Sequence, residues 1–148
     1  MLAIAVPATA HTFGFSLGGS APRACLSIGN ASYRMAAGRA DVTVRIDPAA
    51  ATPDIRIAFA EAADEADFVF VDDGAAPTCP RGPLRSVRID PAAAEPDLIV
   101  GFTTGLAPAD YRIYVRSRWL EPQTAGVLLA AAHLSTRRLA GRVPYRSH

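Results

Sequence analysis

The stretch VRIDPAAATPDIRIAF at residues 44–59 returns as VRIDPAAAEPDLIVGF at residues 87–102. The second copy begins 43 residues after the first, and the correspondence continues without a gap to Phe68 and Tyr111. Such a repeat means that one supersecondary unit is used twice, each copy burying an apolar face that it cannot bury alone. The duplicated unit therefore determines how the middle of the chain is built.

Each copy is predicted to contain three strands. Apolar and polar residues alternate over 42–46 and again over 55–59, which is the period of a half-buried strand, and a third strand is expected over 67–71. The second copy repeats this order. The link that leads to the third strand is short for a parallel crossover, which usually takes a dozen residues or more, so antiparallel pairing is expected.

The predicted fold class is α+β, with two tandem three-stranded repeats that are mostly antiparallel and related by a pseudo-two-fold axis. Repeat 1 covers about residues 42–73 and repeat 2 about residues 85–116. One C-terminal helix is predicted over about residues 122–139, where leucines and alanines recur at helical spacing and arginines stand near the end. Residues 11–148 are thus expected to form a single domain.

Composition excludes several functional classes. The chain has 148 residues, half of them hydrophobic, and a formal net charge of +1, so no overall charge favours nucleic acid. All fifteen basic residues are arginine, and no lysine is present. A lysine-containing phosphate loop, a Schiff-base amine and a serine–lysine dyad are therefore excluded.

The N-terminus indicates export to the periplasm or outside the cell. An apolar run at residues 2–10 ends in Ala8-Thr9-Ala10, which resembles the end of a secretory signal peptide, and residues 1–10 are interpreted as its remnant. The alternatives are a plain apolar segment or a true start upstream of Met1. No apolar run has the length of a spanning helix, so a protein that does not span the membrane is expected.

The two cysteines, Cys25 and Cys79, are expected to pair in an oxidising compartment. Their disulfide would tie the N-terminal segment to the loop between the repeats. The alternative is two unrelated thiols.

The leading functional hypothesis is a small, exported, non-enzymatic binding protein. Its partner is either another protein or a second copy of itself, and the hypothesis includes a role as a subunit of a larger assembly. The second repeat is basic and aromatic where the first is acidic. Arginine and aromatic residues are enriched in interface hot spots, although a solvated face is the ordinary explanation for such charge. The predicted partner-binding residues are Arg112, Tyr114, Arg116, Arg118 and Trp119.

An alternative hypothesis is a periplasmic metal-binding protein that uses copper or calcium. Its predicted ligands are the matched aspartates and the histidine that signal cleavage would free: His11, Asp47, Asp54, Asp90 and Asp97. The competing explanation for the aspartates is turn chemistry, because they flank prolines and alanine-rich loops. A hydrolase is the third hypothesis, but no nucleophile elbow is present and no catalytic residue or cofactor is predicted.

Overall fold

The computed structural model describes residues 25–72, 79 and 82–140, except for the side chains of residues 139 and 140. This part of the chain contains eight strands, one long helix and the short 3₁₀ helix Ala63–Glu65. In chain order the elements are β1 (Cys25–Ile28), β2 (Ala31–Met35), β3 (Val42–Ile46), β4 (Ile55–Phe59), β5 (Phe68–Val71), β6 (Leu84–Ile89), β7 (Leu98–Thr104), β8 (Tyr111–Arg116) and α1 (Pro122–Ala140).

All eight strands form one sheet, in the order β1-β2-β6-β3-β7-β4-β8-β5. Only the β1–β2 pair is antiparallel, and every other neighbouring pair is parallel. The prediction of two mostly antiparallel three-stranded repeats is therefore wrong. The observed architecture is a single curled sheet, a half-barrel, with one C-terminal helix.

The two copies of the repeat interleave, so neither folds as a separate module. The first copy supplies β3, β4 and β5, and the second supplies β6, β7 and β8. In the sheet they alternate, so that consecutive strands of one copy are always separated by a strand of the other. Each copy thus buries its apolar face only in the presence of the other.

Parallel pairing is possible here because the strands are short and staggered. A strand of five residues such as β4 is about 17 Å long, and the eight residues 60–67 that follow it reach up to about 26 Å when extended. In sheet order β7, β4, β8 and β5 each begin level with the third residue of the preceding strand, as Tyr111 does with Ile57 and Phe68 with Ile113. An extended link therefore returns to the next starting point without a crossover helix.

The links run over the outer face of the sheet, away from the helix. The guanidinium of Arg45 on β3 donates a hydrogen bond of 2.9 Å to the Ala93 carbonyl of the β6–β7 link. The β3–β4 link lies over β7, where a Cβ on Gly101 would stand only 3.1 Å from Pro53 Cγ. Glycine at residue 101 makes this close crossing possible.

The hydrophobic core lies between the inner face of the sheet and α1. The helix packs against β1 to β4 and β6 to β8. Ile55, Ile57 and Val100 are at most 1% exposed, and Leu98 is 3% exposed. The alternating residues of the duplicated segments therefore share one interior, as the sequence predicted, although the arrangement of the strands around it differs.

The two ends of the sheet are unlike. At one end the β1–β2 hairpin turns at Gly29, whose φ of 62° is the left-handed conformation that glycine adopts readily. A disulfide joins Cys25 of β1 to Cys79, with their Cα atoms 5.2 Å apart, which confirms the predicted pairing. At the other end lies β5.

The predicted signal-peptide remnant, residues 1–10, lies outside the described residues. Among the residues that are described, no helix is long and apolar enough to cross a membrane.

Candidate functional site

Five aspartates that immediately precede a strand fasten that strand to its neighbour. In each case the carboxylate accepts the backbone N–H of one residue on the neighbouring strand, at 2.7 to 2.8 Å. The backbone N–H of the same aspartate donates to the carbonyl of that same residue. We call this arrangement an aspartate clamp; the five pairs are Asp41–Ser86, Asp97–Thr43, Asp54–Ile99, Asp110–Arg56 and Asp67–Arg112.

The clamps occupy every junction from β6 to β5 in sheet order. At the first of them, the backbone N–H of Ser86 and then its hydroxyl lower the pKa of Asp41 below its ordinary value. Hydrogen bonds to a carboxylate favour its charged form. The folded sheet therefore stabilises the charged form of Asp41.

The clamps also account for two of the predicted metal ligands, Asp54 and Asp97. The other two predicted aspartate ligands, Asp47 and Asp90, accept the backbone N–H groups of Ala49 and Ala92 at 3.0 Å. These are the turn hydrogen bonds that were the alternative explanation to metal binding. Within residues 25–72, 79 and 82–140, no three His, Cys, Asp or Glu side chains are grouped as metal ligands. His11 lies outside these ranges.

The site that stands out is the edge of the sheet at β5. Its sequence, Phe68-Val69-Phe70-Val71, contains no charged residue. On the outer face Val69 is 48% exposed and Val71 is 42% exposed, and on the inner face Phe68 and Phe70 are only partly buried. Natural edge strands usually carry charges, prolines or bulges that prevent pairing with another chain. An edge that is apolar on both faces is therefore a candidate binding site, which we call the β5 edge.

Within the described part of the chain, β5 lacks what the preceding strands have. It is the last strand in the sheet order, and none of its residues is held by the aspartate of another described strand. The links that lead to β4, β5, β7 and β8 each pass one intervening strand, but none of them passes β5. It is also the strand that α1 does not pack against substantially.

The predicted partner-binding residues lie on β8 and on the turn after it, next to this edge. Tyr114 pairs with Val69 and Arg116 pairs with Val71, so the two side chains stand beside the exposed valines on the outer face. Arg112 has a structural task, because its guanidinium donates to the carbonyl oxygens of Gly105 and Ala107 and holds the β7–β8 link.

The turn that carries Arg118 and Trp119 is fastened to the end of β5. The hydroxyl of Ser117 donates to the carboxylate of Asp72 and accepts the N–H groups of Trp119 and Leu120 at 3.0 and 2.9 Å. The backbone N–H of Arg118 donates to the same carboxylate. Trp119 is 38% exposed. The structure therefore places Tyr114 and Arg116 beside the exposed valines, and Arg118 and Trp119 in a turn fastened to the end of β5.

One pair of side chains that combines a phenol and an imidazole joins the helix to the sheet. The hydroxyl of Tyr111 lies 2.9 Å from Nδ1 of His133, and the two rings meet edge to face. Both residues are half-buried between β8 and α1. This contact has the geometry of core packing between the helix and the sheet.

Comparison of the chain with protein-family models, with curated proteins and with solved structures finds no match in any of the three.

Proposed function

We propose that the protein is a non-enzymatic binding module that takes a protein partner at the β5 edge. The observation that carries this proposal is an uncharged strand at the end of the sheet, with Val69 and Val71 exposed on its outer face and its inner-face phenylalanines only partly buried. The Cys25–Cys79 disulfide supports the further proposal that the module acts in the periplasm or outside the cell.

An added strand can form hydrogen bonds with the main-chain groups of such an edge and cover its apolar side chains. A peptide in extended conformation gains main-chain hydrogen bonds from the sheet, and its alternate side chains pack on the two faces. Here its inner side chains would cover Phe68 and Phe70, and its outer side chains would lie against Val69 and Val71. Burial of these apolar groups favours association because it removes their surface from water.

The neighbouring aromatic residues extend the contact surface beyond the edge itself. Tyr114 stands beside Val69, and the half-exposed Trp119 lies in the turn fastened to Asp72. Tyrosine and tryptophan supply large contact areas with few rotatable bonds, and they are frequent in interface hot spots. The proposed partner therefore contacts β5, the outer face of β8 and the following turn.

Charge favours a different protein over a second copy of this chain. Asp67 and Asp72 flank β5, and Asp64 and Glu65 lie in the link that precedes it. Two copies joined edge to edge by a two-fold axis would bring the Asp67 end of one strand to the Asp72 end of the other. Like charges at facing positions are destabilising, so the proposed partner is a strand of a different protein.

Site-specific photocrosslinking tests the proposal. A photoreactive amino acid at residue 69 or 71 is expected to yield one discrete protein adduct in the native host, and the same amino acid at the exposed residue Glu95 in the β6–β7 link serves as the control. Adducts that form equally well from residue 95, or none from 69 and 71, would overturn the proposal. Analytical ultracentrifugation of the purified protein distinguishes a heterologous partner from self-association.

A further inference from the structure

We infer that the β5 edge accepts a parallel strand from another protein, and that this strand begins with an aspartate followed by alternating apolar residues. The inference rests on the proposed function and deepens it by naming the direction, register and sequence type of the bound segment. It comes from the aspartate clamps, which prescribe the same arrangement at each of five successive junctions.

The residue that a clamp holds has a constant place in the strands that carry a preceding aspartate. It lies two positions after that aspartate, and it is clamped by the aspartate of the next strand in the sheet: Thr43, Ile99, Arg56 and Arg112 are held in this way. In β5 the residue two positions after Asp67 is Val69. Val69 is therefore the position at which the next clamp would take hold.

The backbone of β5 presents Val69 to the open side. The N–H of Asp72 donates to the Arg116 carbonyl of β8. Because successive residues within a strand direct their N–H and C=O groups to alternate sides, Phe68 and Phe70 share the direction of Asp72, and Val69 and Val71 face away from β8. The clamping aspartate lies before this alternation: the N–H of Asp54 faces β7, and the N–H of Arg56 faces β8. An incoming aspartate can thus accept the N–H of Val69 and donate its own N–H to the Val69 carbonyl.

The stagger of the sheet sets the positions of the incoming side chains. Each clamping strand starts level with the residue three positions after its neighbour's aspartate, as Ile55 does with Val100 and Tyr111 with Ile57. By the same rule the residue after the incoming aspartate pairs with Phe70. Its apolar side chain lies on the inner face and covers the partly buried ring, and the following residue lies on the outer face beside Val71.

We place the occupant in another protein, because residues 1–148 contain no unused segment of the required kind. Every described Asp-apolar segment that begins a strand is already within the sheet. Outside the described residues the sequence contains a single aspartate, Asp73, and glycine follows it. A second copy likewise offers no free segment of this form.

The probe for a direct test is a synthetic peptide that copies residues 109–116, ADYRIYVR, with blocked termini. It contains the aspartate and the alternating apolar residues of β8, and its arginines suit the acidic flanks of the edge. Titration into the isotope-labelled protein is expected to shift amide resonances of β5. The same peptide with Asp110→Ala is expected to bind at least about tenfold more weakly, because a charge-assisted hydrogen bond is lost.

A protein variant tests the other half of the contact. Val69→Pro removes the N–H that faces the open side and leaves the β5–β8 ladder intact, since proline is tolerated on edge strands whose N–H faces solvent. This variant is expected to lose peptide binding, whereas Val69→Ala keeps it within a few-fold. If Val69→Pro does not fold, the peptide pair ADYRIYVR and its Asp110→Ala counterpart still decides the question.

A spin label at either end of the peptide reports its direction. In the parallel arrangement a label at the N-terminus broadens amides near Asp67, and a label at the C-terminus broadens amides near Asp72. The reverse pattern, or equal binding of the two peptides, would overturn the clamped parallel strand. If no peptide binds while photoreactive residues 69 and 71 still capture a partner, this inference fails and the proposed function stands; if residues 69 and 71 also capture nothing, both fail.

Discussion

The aspartate clamp gives a solvent-exposed side chain a specific structural task. A single residue supplies a charged acceptor and a backbone donor to the two main-chain groups of one neighbouring residue, as Asp54 does for Ile99. Slipping the strand by one residue would remove both contacts and turn the apolar side chains to the wrong face. The clamps therefore specify register in a sheet whose parallel strands have no hairpin turns to define it.

The stabilisation from one clamp is measurable at Asp54, whose carboxylate holds the N–H of Ile99 at 2.7 Å. Asp54→Ala is expected to lower the free energy of unfolding by about 1 to 2 kcal/mol, because a charge-assisted hydrogen bond to the backbone is lost. Urea denaturation provides the measurement. Asp64→Ala is the matched control, since Asp64 is an exposed aspartate in the 3₁₀ helix and makes no clamp; equal losses in the two variants would contradict the role of the clamp.

Asp41 predicts a pH dependence of stability with a definite sign. Hydrogen bonds from Ser86 lower its folded-state pKa below the unfolded value, so the unfolded chain binds the proton more readily. The stabilisation is present above the unfolded pKa and is lost as the pH falls through the lower, folded-state pKa, below about pH 4. Wild type is thus expected to lose stability in this range more steeply than Asp41→Asn does.

Thermal unfolding between neutral and acid pH measures this difference. Ser86→Ala is an informative intermediate, because it removes the hydroxyl contact and keeps the backbone N–H, which is the larger cause of the lowered pKa. Parallel pH profiles for wild type and Asp41→Asn would exclude Asp41 as a source of the acid sensitivity.

At the scale of elements, the sequence predicted the positions of the strands better than their neighbours. The strands expected over 42–46 and 55–59 are found at those residues, and the helix expected over 122–139 is found at Pro122–Ala140. Alternation along a strand reports which side chains face the core, and it carries no information on which strand lies alongside. The antiparallel prediction assumed that short links exclude parallel neighbours, and the short, staggered strands remove that restriction.

The candidate site was also predicted only in part: some of its residues were identified, but their neighbours in the sheet were not. Tyr114 and Trp119 were recognised by residue type, but the exposure of Val69 depends on β5 being at the end of the sheet, which the sequence pattern does not report. The sequence does contain a pattern that indicates the clamps. Aspartates precede successive strands at intervals of 13 residues, at 41, 54 and 67 and again at 97 and 110. Their partners are 45 or 54 residues away in sequence, so the contacts themselves appear only once the interleaving is known.

The packing of α1 on the sheet depends on a close approach at Gly126. A Cβ built on this residue would lie 2.5 Å from Cε1 of Phe102 on β7. Gly126→Val is expected to destabilise the protein by about 1 to 3 kcal/mol through overpacking of the helix against the ring. Differential scanning calorimetry measures the change.

A second substitution tests whether the destabilisation comes from the contact with Phe102, since glycine itself is a poorer helix former than valine. Phe102→Leu shortens the obstructing side chain, so the double variant Gly126→Val/Phe102→Leu is expected to be less destabilised than the sum of the two single variants. Gly38→Ala is the control, because nothing lies within 4 Å of its added Cβ and its φ is not in the left-handed region. Strict additivity of the two changes would contradict the close approach.

At the scale of the whole molecule, the two ends of the sheet are treated differently. One end is closed by the antiparallel β1–β2 hairpin, where Tyr33 is 2% exposed and Cys25 is bonded to Cys79. The other end presents β5 with its valines exposed. Because the β1 end is covalently tied to Cys79 and the β5 end is apolar and exposed, β5 is the edge at which we expect the proposed partner strand to add.

This asymmetry predicts that the disulfide contributes to stability and not to binding. The bond closes a separation of 54 residues, and in the chain-entropy model its loss destabilises the protein by about 4 kcal/mol. The variant Cys25→Ser/Cys79→Ser is therefore expected to unfold at a markedly lower guanidinium concentration than wild type. Reductant is expected to bring wild type to the same midpoint and to leave the variant unchanged.

Where the variant is folded, its affinity for ADYRIYVR is expected to equal that of wild type, because Cys25 lies on β1, at the opposite end of the sheet from β5. A midpoint insensitive to reductant would show that the bond does not constrain the unfolded chain. A fall in peptide affinity in the folded variant would show that the two ends are coupled through the core, since the intervening strands and α1 lie between them. We therefore expect loss of the disulfide to lower the stability of the protein and to leave its affinity for the peptide at the β5 edge unchanged.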